Sequence, residues 1–118
     1  MHQDLQPPNP SATAKSAEEL ILANLHAADI VLIQTANSLY RFTLSDPAQR
    51  RGRLSGGVLG DQDVNAIFLG GIVAKTSFLN NTNSLSLGSR ALFVIEQESG
   101  VRRMVTSSIT RLAHSQQG

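Results

Sequence analysis

The chain contains no cysteine. That excludes disulfides, zinc–thiolate sites and a cysteine nucleophile together. Tryptophan is also missing, and Phe, Trp and Tyr make up only 4% of the 118 residues. A surface that stacks nucleobases wants more rings than this, and the core must instead be aliphatic. Charged residues reach only 16%, and no apolar run approaches the ~18 residues of a membrane helix. The leading Met1-His2-Gln3-Asp4-Leu5-Gln6-Pro7-Pro8 has neither the basic start nor the apolar stretch of a secretory signal. These absences lead to the expectation of a cytoplasmic protein with no membrane association.

What remains is enough for one globular domain. Hydrophobic residues make up 41% of the chain, and a chain of this length buries a core without covalent staples. Residues 1–15, with Pro7, Pro8 and Pro10 among small and polar residues, read as a flexible tail. Ser16-Ala17-Glu18-Glu19 has the form of a capping box. Leu20, Ile21, Leu25 and Ala28 follow at helical spacings. The spacing predicts a helix over 16–28 that docks as a lid on one end of the domain.

From Asp29 the period changes to two. Ile30-Val31-Leu32-Ile33 is apolar on both faces, as in a fully buried strand. Leu39 to Ser45 alternates, with Tyr40, Phe42 and Leu44 on one face. Ala36-Asn37-Ser38 joins these two segments as a hairpin turn. Arg50 to Gly60 is glycine-rich and reads as a bent or bulged strand. Val64 to Val73 is a strand interrupted at Gly70-Gly71, and 75–89 is a polar loop anchored by Phe78 and Leu79. Ala91–Gln97 and Val101–Thr106 pair across Glu98-Ser99-Gly100. Ser107-Ser108 breaks the ladder, Ile109–Leu112 forms a last strand, and 113–118 frays.

Five or six short antiparallel strands behind one N-terminal helix make an all-β fold, a small SH3-like or Sm-like barrel or roll spanning 16–112. Closure is favoured because it removes edge strands. The expected core is Ile33, Tyr40, Phe42, Leu44, Phe68, Phe93 and Ile95.

Signals for chemistry are sparse. His2 and His114 fall in the tails, and His26 at the helix end is accounted for by the helix dipole. No histidine pair has metal-ligand spacing. Gly52-Arg53-Leu54-Ser55-Gly56 sets its serine one place out of step with a nucleophile elbow. Gly56-Gly57-Val58-Leu59-Gly60 lacks the Lys-Ser/Thr of a phosphate loop. Asp61-Gln62-Asp63 lacks the Gly and distal Glu of a calcium loop. The sequence therefore names no catalytic residue, metal ligand or cofactor.

Charge is the one asymmetric feature. Residues 29–112 hold nine basic and six acidic side chains, and eight of the nine are arginine. The guanidinium fork suits phosphate and carboxylate. Arg50, Arg51, Arg53, Arg102 and Arg103 form two clusters that would serve an anionic partner, such as nucleic acid or a phosphate ligand, if they converge. Otherwise they are a solvated face, with Arg51 and Arg53 paired to Glu96 and Glu98. The expectation is a non-enzymatic binding or self-assembly module, with the anion binder as alternative. An enzyme whose site forms only in an oligomer ranks last. Because Ile30–Ile33, Ala66–Leu69 and Leu92–Ile95 are apolar on both faces, outward side chains would form a patch, and a homodimer is the expected remedy.

Overall fold

The computed structural model describes residues 15–72, 79–81 and 84–116. Ten strands occupy them: β1 (Lys15–Ala17), β2 (Glu19–Ile21), β3 (Ile30–Thr35), β4 (Leu39–Asp46) and β5 (Arg51–Gly56), then β6 (Val64–Ile72), β7 (Leu79–Asn81), β8 (Ser84–Ser86), β9 (Arg90–Gln97) and β10 (Gly100–Ser115). Six form a closed antiparallel barrel. β10 pairs with β3, β3 with β4, β4 with β5, β5 with β6, β6 with β9, and β9 returns to β10. The expected small barrel is present.

Two long strands close the ring by changing partners. The first half of β10 pairs with β9 as far as Ser108, and the second half pairs with β3 from Ile109. The ladder shifts register between Val105 and Ser108 and again between Ile109 and Arg111. Ser107-Ser108 is thus a barrel corner inside one strand rather than a break between two. β6 turns a second corner: it pairs with β5 through Ile67 and with β9 on to Ile72, with a bulge between Phe68 and Gly70. Bulges of this kind let a sheet bend sharply enough to close.

Alternation fills the interior. All seven expected core residues are buried, and Phe42, Phe68 and Phe93 are fully enclosed. The Phe93 ring meets Phe42 edge-on at 5.2 Å and Phe68 at 5.6 Å, within the favourable range for aromatic pairs. Gly52 lies beneath this cluster. A Cβ there would sit 2.3 Å from the Thr43 carbonyl oxygen and 2.9 Å from the Phe42 ring, so only glycine lets β4 and β5 approach around Phe42.

The helix expected over 16–28 does not form. Ser16 and Ala17 lie in β1, opposite Ala113 and Leu112, and Glu19–Ile21 pairs with Ser84–Ser86. Leu20 and Leu22 are buried while Ile21 is exposed, which is strand alternation. A three-turn helix is marginal on its own, and strand pairing with buried Leu85 overrides the capping-box signal. Three further expectations change. The 75–89 loop contains β7 and β8, and Phe78 lies outside the described residues. Residues 113–115 belong to β10, with Ala113 and Ser115 buried, instead of fraying. Of the expected 1–15 tail, Lys15 begins β1 and the rest lies outside the described residues.

Phe42→Ala is expected to cost about 3–5 kcal/mol, the large-to-small penalty at a site with no room to relax. Half-buried Thr43→Ala should cost under about 1 kcal/mol. Urea unfolding of the two variants measures the contrast, and the reverse order would mean the faces of β4 are exchanged.

Candidate binding face

Strand register decides where the arginines go. Directly opposed residues in an antiparallel sheet share a face. Arg51 opposes Ile67, Ile67 opposes Val94, and Val94 opposes Arg103. These four residues form one row across β5, β6, β9 and β10 on the outside of the barrel. Three strand spacings separate the two arginine Cα atoms, about 14 Å along the sheet. One step along the strands, a second row runs Arg53, Asn65, Glu96, Val101. Leu92 opposite Val105 extends the aliphatic surface on the other side.

The two arginine clusters therefore meet only in part. Arg51, Arg53 and Arg103 share the outer face. Arg102 opposes Ile95, whose side chain is in the core, so the pleat sends it to the other side of β10 from Arg103. Arg50 ends the turn Pro47–Gln49 in the left-handed conformation, at φ 57°, and its carbonyl accepts from the Phe68 amide. Its neighbour Arg51 starts the strand.

The pairing expected for a solvated face is not formed. Arg53 donates to Asn65 Oδ1 at 3.3 Å and to the Asp63 carbonyl at 3.0 Å, both within its own edge of the sheet. Arg51, Arg103 and Glu96 have no ion-pair partner among the described residues. Arg51, Ile67 and Val94 line an open groove of about 450 Å³, with Asn65, Glu96 and Val101 beside them. Val101 is 64% exposed and Val105 41%, whereas Ile67, Leu92 and Val94 are half-buried by their neighbours. Arg103 stands just past Val94 at the groove's rim. The groove thus combines an aliphatic floor with one unpaired cation and one unpaired anion.

A second polar cluster lies at the other end of the strands, and the sequence gave little sign of it. Asp29 is buried at the start of β3. Its Oδ2 accepts from the His26 amide at 2.9 Å and stands 3.0 Å from Nε2 of His114, near the end of β10. The His26 ring, 75% exposed, is 3.7 Å from the same oxygen. Neither histidine behaves as expected: His26 has no helix to cap, and His114 is in a strand. Ala28, just before Asp29, takes a left-handed φ of 75° while its amide donates to the Leu44 carbonyl. A β-carbon makes that conformation costly, so the cluster holds the backbone against strain. A carboxylate–imidazole pair is also part of the machinery of a general base. Here it joins the ends of β3 and β10, and the geometry is accounted for as a clasp on the barrel end. Among the described residues no three side chains are grouped to hold a metal, and no helix is long and apolar enough to cross a membrane.

The chain matches no family model, no curated protein and no solved structure. Its candidate sites rest on geometry alone.

Asp29→Ala should destabilise the protein by about 1–3 kcal/mol, the usual penalty when buried polar partners are left unsatisfied. Arg51→Ala and Arg103→Ala, on the surface, should change stability by no more than about 0.5 kcal/mol. Thermal unfolding of the three variants separates the clasp from the face, and a silent Asp29→Ala would remove its structural role.

Proposed function

We propose that the barrel is a non-enzymatic binding or self-assembly module whose contacts are made through the outer face of β5, β6, β9 and β10. The observation that carries this reading is the row Arg51–Ile67–Val94–Arg103, with two arginines lacking ion-pair partners around an aliphatic centre. Single exposed apolar residues need no explanation, but a contiguous set with polar flanks marks contact surfaces. Interfaces favour this composition: an aliphatic centre, arginine, and a polar rim. A second copy of the chain, making a homodimer, is one occupant such a face accepts. The cysteine-free composition suits work in a reducing compartment such as the cytoplasm.

The second reading is an anionic ligand, nucleic acid or a phosphate compound. It is favoured by Arg51 and Arg103 standing free on one face, since guanidinium forks bind phosphate well. It is weakened by Glu96 in the same groove and by the departure of Arg102 to the opposite side. Of the five arginines first considered, this face supplies Arg51, Arg53 and Arg103, and Arg53 is already engaged by Asn65 and Asp63.

Methyl NMR of the full chain tests the location. Concentrating the protein, or adding a single-stranded oligonucleotide, should shift the Ile67, Val94, Val101 and Val105 methyls in whichever sample supplies the partner. If those methyls stay fixed while others move, the face is wrong. If the oligonucleotide binds here, the double variant Arg51→Ala, Arg103→Ala should flatten the log affinity against log salt slope by about two, roughly one per lost phosphate contact.

A further inference from the structure

Resting on the reading of this face as the contact surface, we infer that its occupant is a second copy of the same chain, joined about a two-fold axis that sets Arg51 of each copy against Glu96 of the other. Arg51 and Glu96 flank the same groove and neither has an ion-pair partner among the described residues. Arg51 is on β5 in the row of Ile67, and Glu96 is on β9 in the row of Asn65. Two strand spacings across and two residues along place their Cα atoms about 12 Å apart, diagonally over β6. They stay unpaired within one copy.

Two such groups make the face complementary to itself. An axis lying in the contact plane, and bisecting the line between them, carries Arg51 of one copy onto Glu96 of the other and the reverse. Both ion pairs form at once, as an isologous contact requires. The midpoint of the diagonal falls on β6 between Asn65 and Ile67, so Ile67 packs beside the axis against its own counterpart. Val94 follows it into the centre, and Val101, the most exposed of the aliphatic residues on this face, loses its contact with water. An anionic partner satisfies Arg51 and leaves Glu96 facing like charge. A second copy satisfies both. The charge pairs sit at the edge of the contact and are reached by solvent, so the dimer should weaken as salt rises.

The test is sedimentation of the full chain over a wide micromolar range, with Arg51→Glu, Glu96→Arg and Val101→Asp, each checked for unchanged thermal unfolding. Wild type should dimerise. Arg51→Glu and Glu96→Arg alone should each associate about tenfold or more weakly, because like charges then meet twice. Mixing these two variants should restore a dimer, since every contact in the mixed pair joins opposite charges. A wild-type chain that stays monomeric throughout overturns the second copy as occupant, although the face itself remains subject to the oligonucleotide shifts. A dimer lost in Val101→Asp but indifferent to both charge changes keeps the face and overturns the Arg51–Glu96 pairing. A dimer that survives Arg51→Glu and Val101→Asp is built elsewhere and overturns the face as well.

Discussion

Closure of the barrel depends on β10 serving two neighbours in succession. Its first half completes the ladder of β9 and its second half that of β3. Without this sharing the sheet would end in two open edges, each offering unpaired backbone groups to other chains. The double register shift around Ser107 and Ser108 is what turns the strand from one neighbour to the next. Thr106, buried at the corner, donates to the Ser107 carbonyl and accepts from the Ala91 amide at 2.9 Å. A side chain there serves a backbone group that the interrupted ladder leaves over.

The interior follows from closure. A ring of six strands leaves little room, and three phenylalanines with aliphatic neighbours occupy it. Glycine is needed where strands approach around those rings. At Gly52 the Phe42 ring and the Thr43 carbonyl take the space a side chain would use. At Gly57 the same is true of the Tyr40 ring, 2.3 Å from where a Cβ would stand. The glycine-rich stretch of 52–60, which carries no phosphate-loop signature, is thus explained by packing. The outside of the ring is a separate matter. Strands apolar on both faces must present half their aliphatic residues outward, and on β6, β9 and β10 these gather into the face that also carries Arg51, Arg103 and Glu96.

Much of the fold was legible in the residues. The alternation of Tyr40, Phe42 and Leu44 set the inner face of β4, and Asn37 and Glu98-Ser99 marked the hairpins correctly. Period-two patterning survives folding because a strand's pleat is local. The segment 16–28 was misread because its cues were also local. Ser16 and Glu19 spell a helix start, but Leu20 and Leu22 find their burial through β8, over sixty residues away. The clasp was hidden for the same reason. Asp29 and His114 are 85 positions apart, and nothing in either neighbourhood announces the other.

By itself the sequence determined the class of the protein: an aliphatic, cysteine-free, antiparallel β domain whose surplus of outward aliphatic residues demands some cover. Composition and alternation suffice for that, since each depends only on neighbouring residues. Tertiary structure alone decided which charges share a surface. Arg102 and Arg103 are adjacent in the chain yet part company at the pleat. Arg51 and Arg103, 52 positions apart in the numbering, come into one row because β5, β6, β9 and β10 stand side by side. Register is a long-range property, fixed by the closing of the ring, and a shift of a single residue would have sent either arginine to the other face.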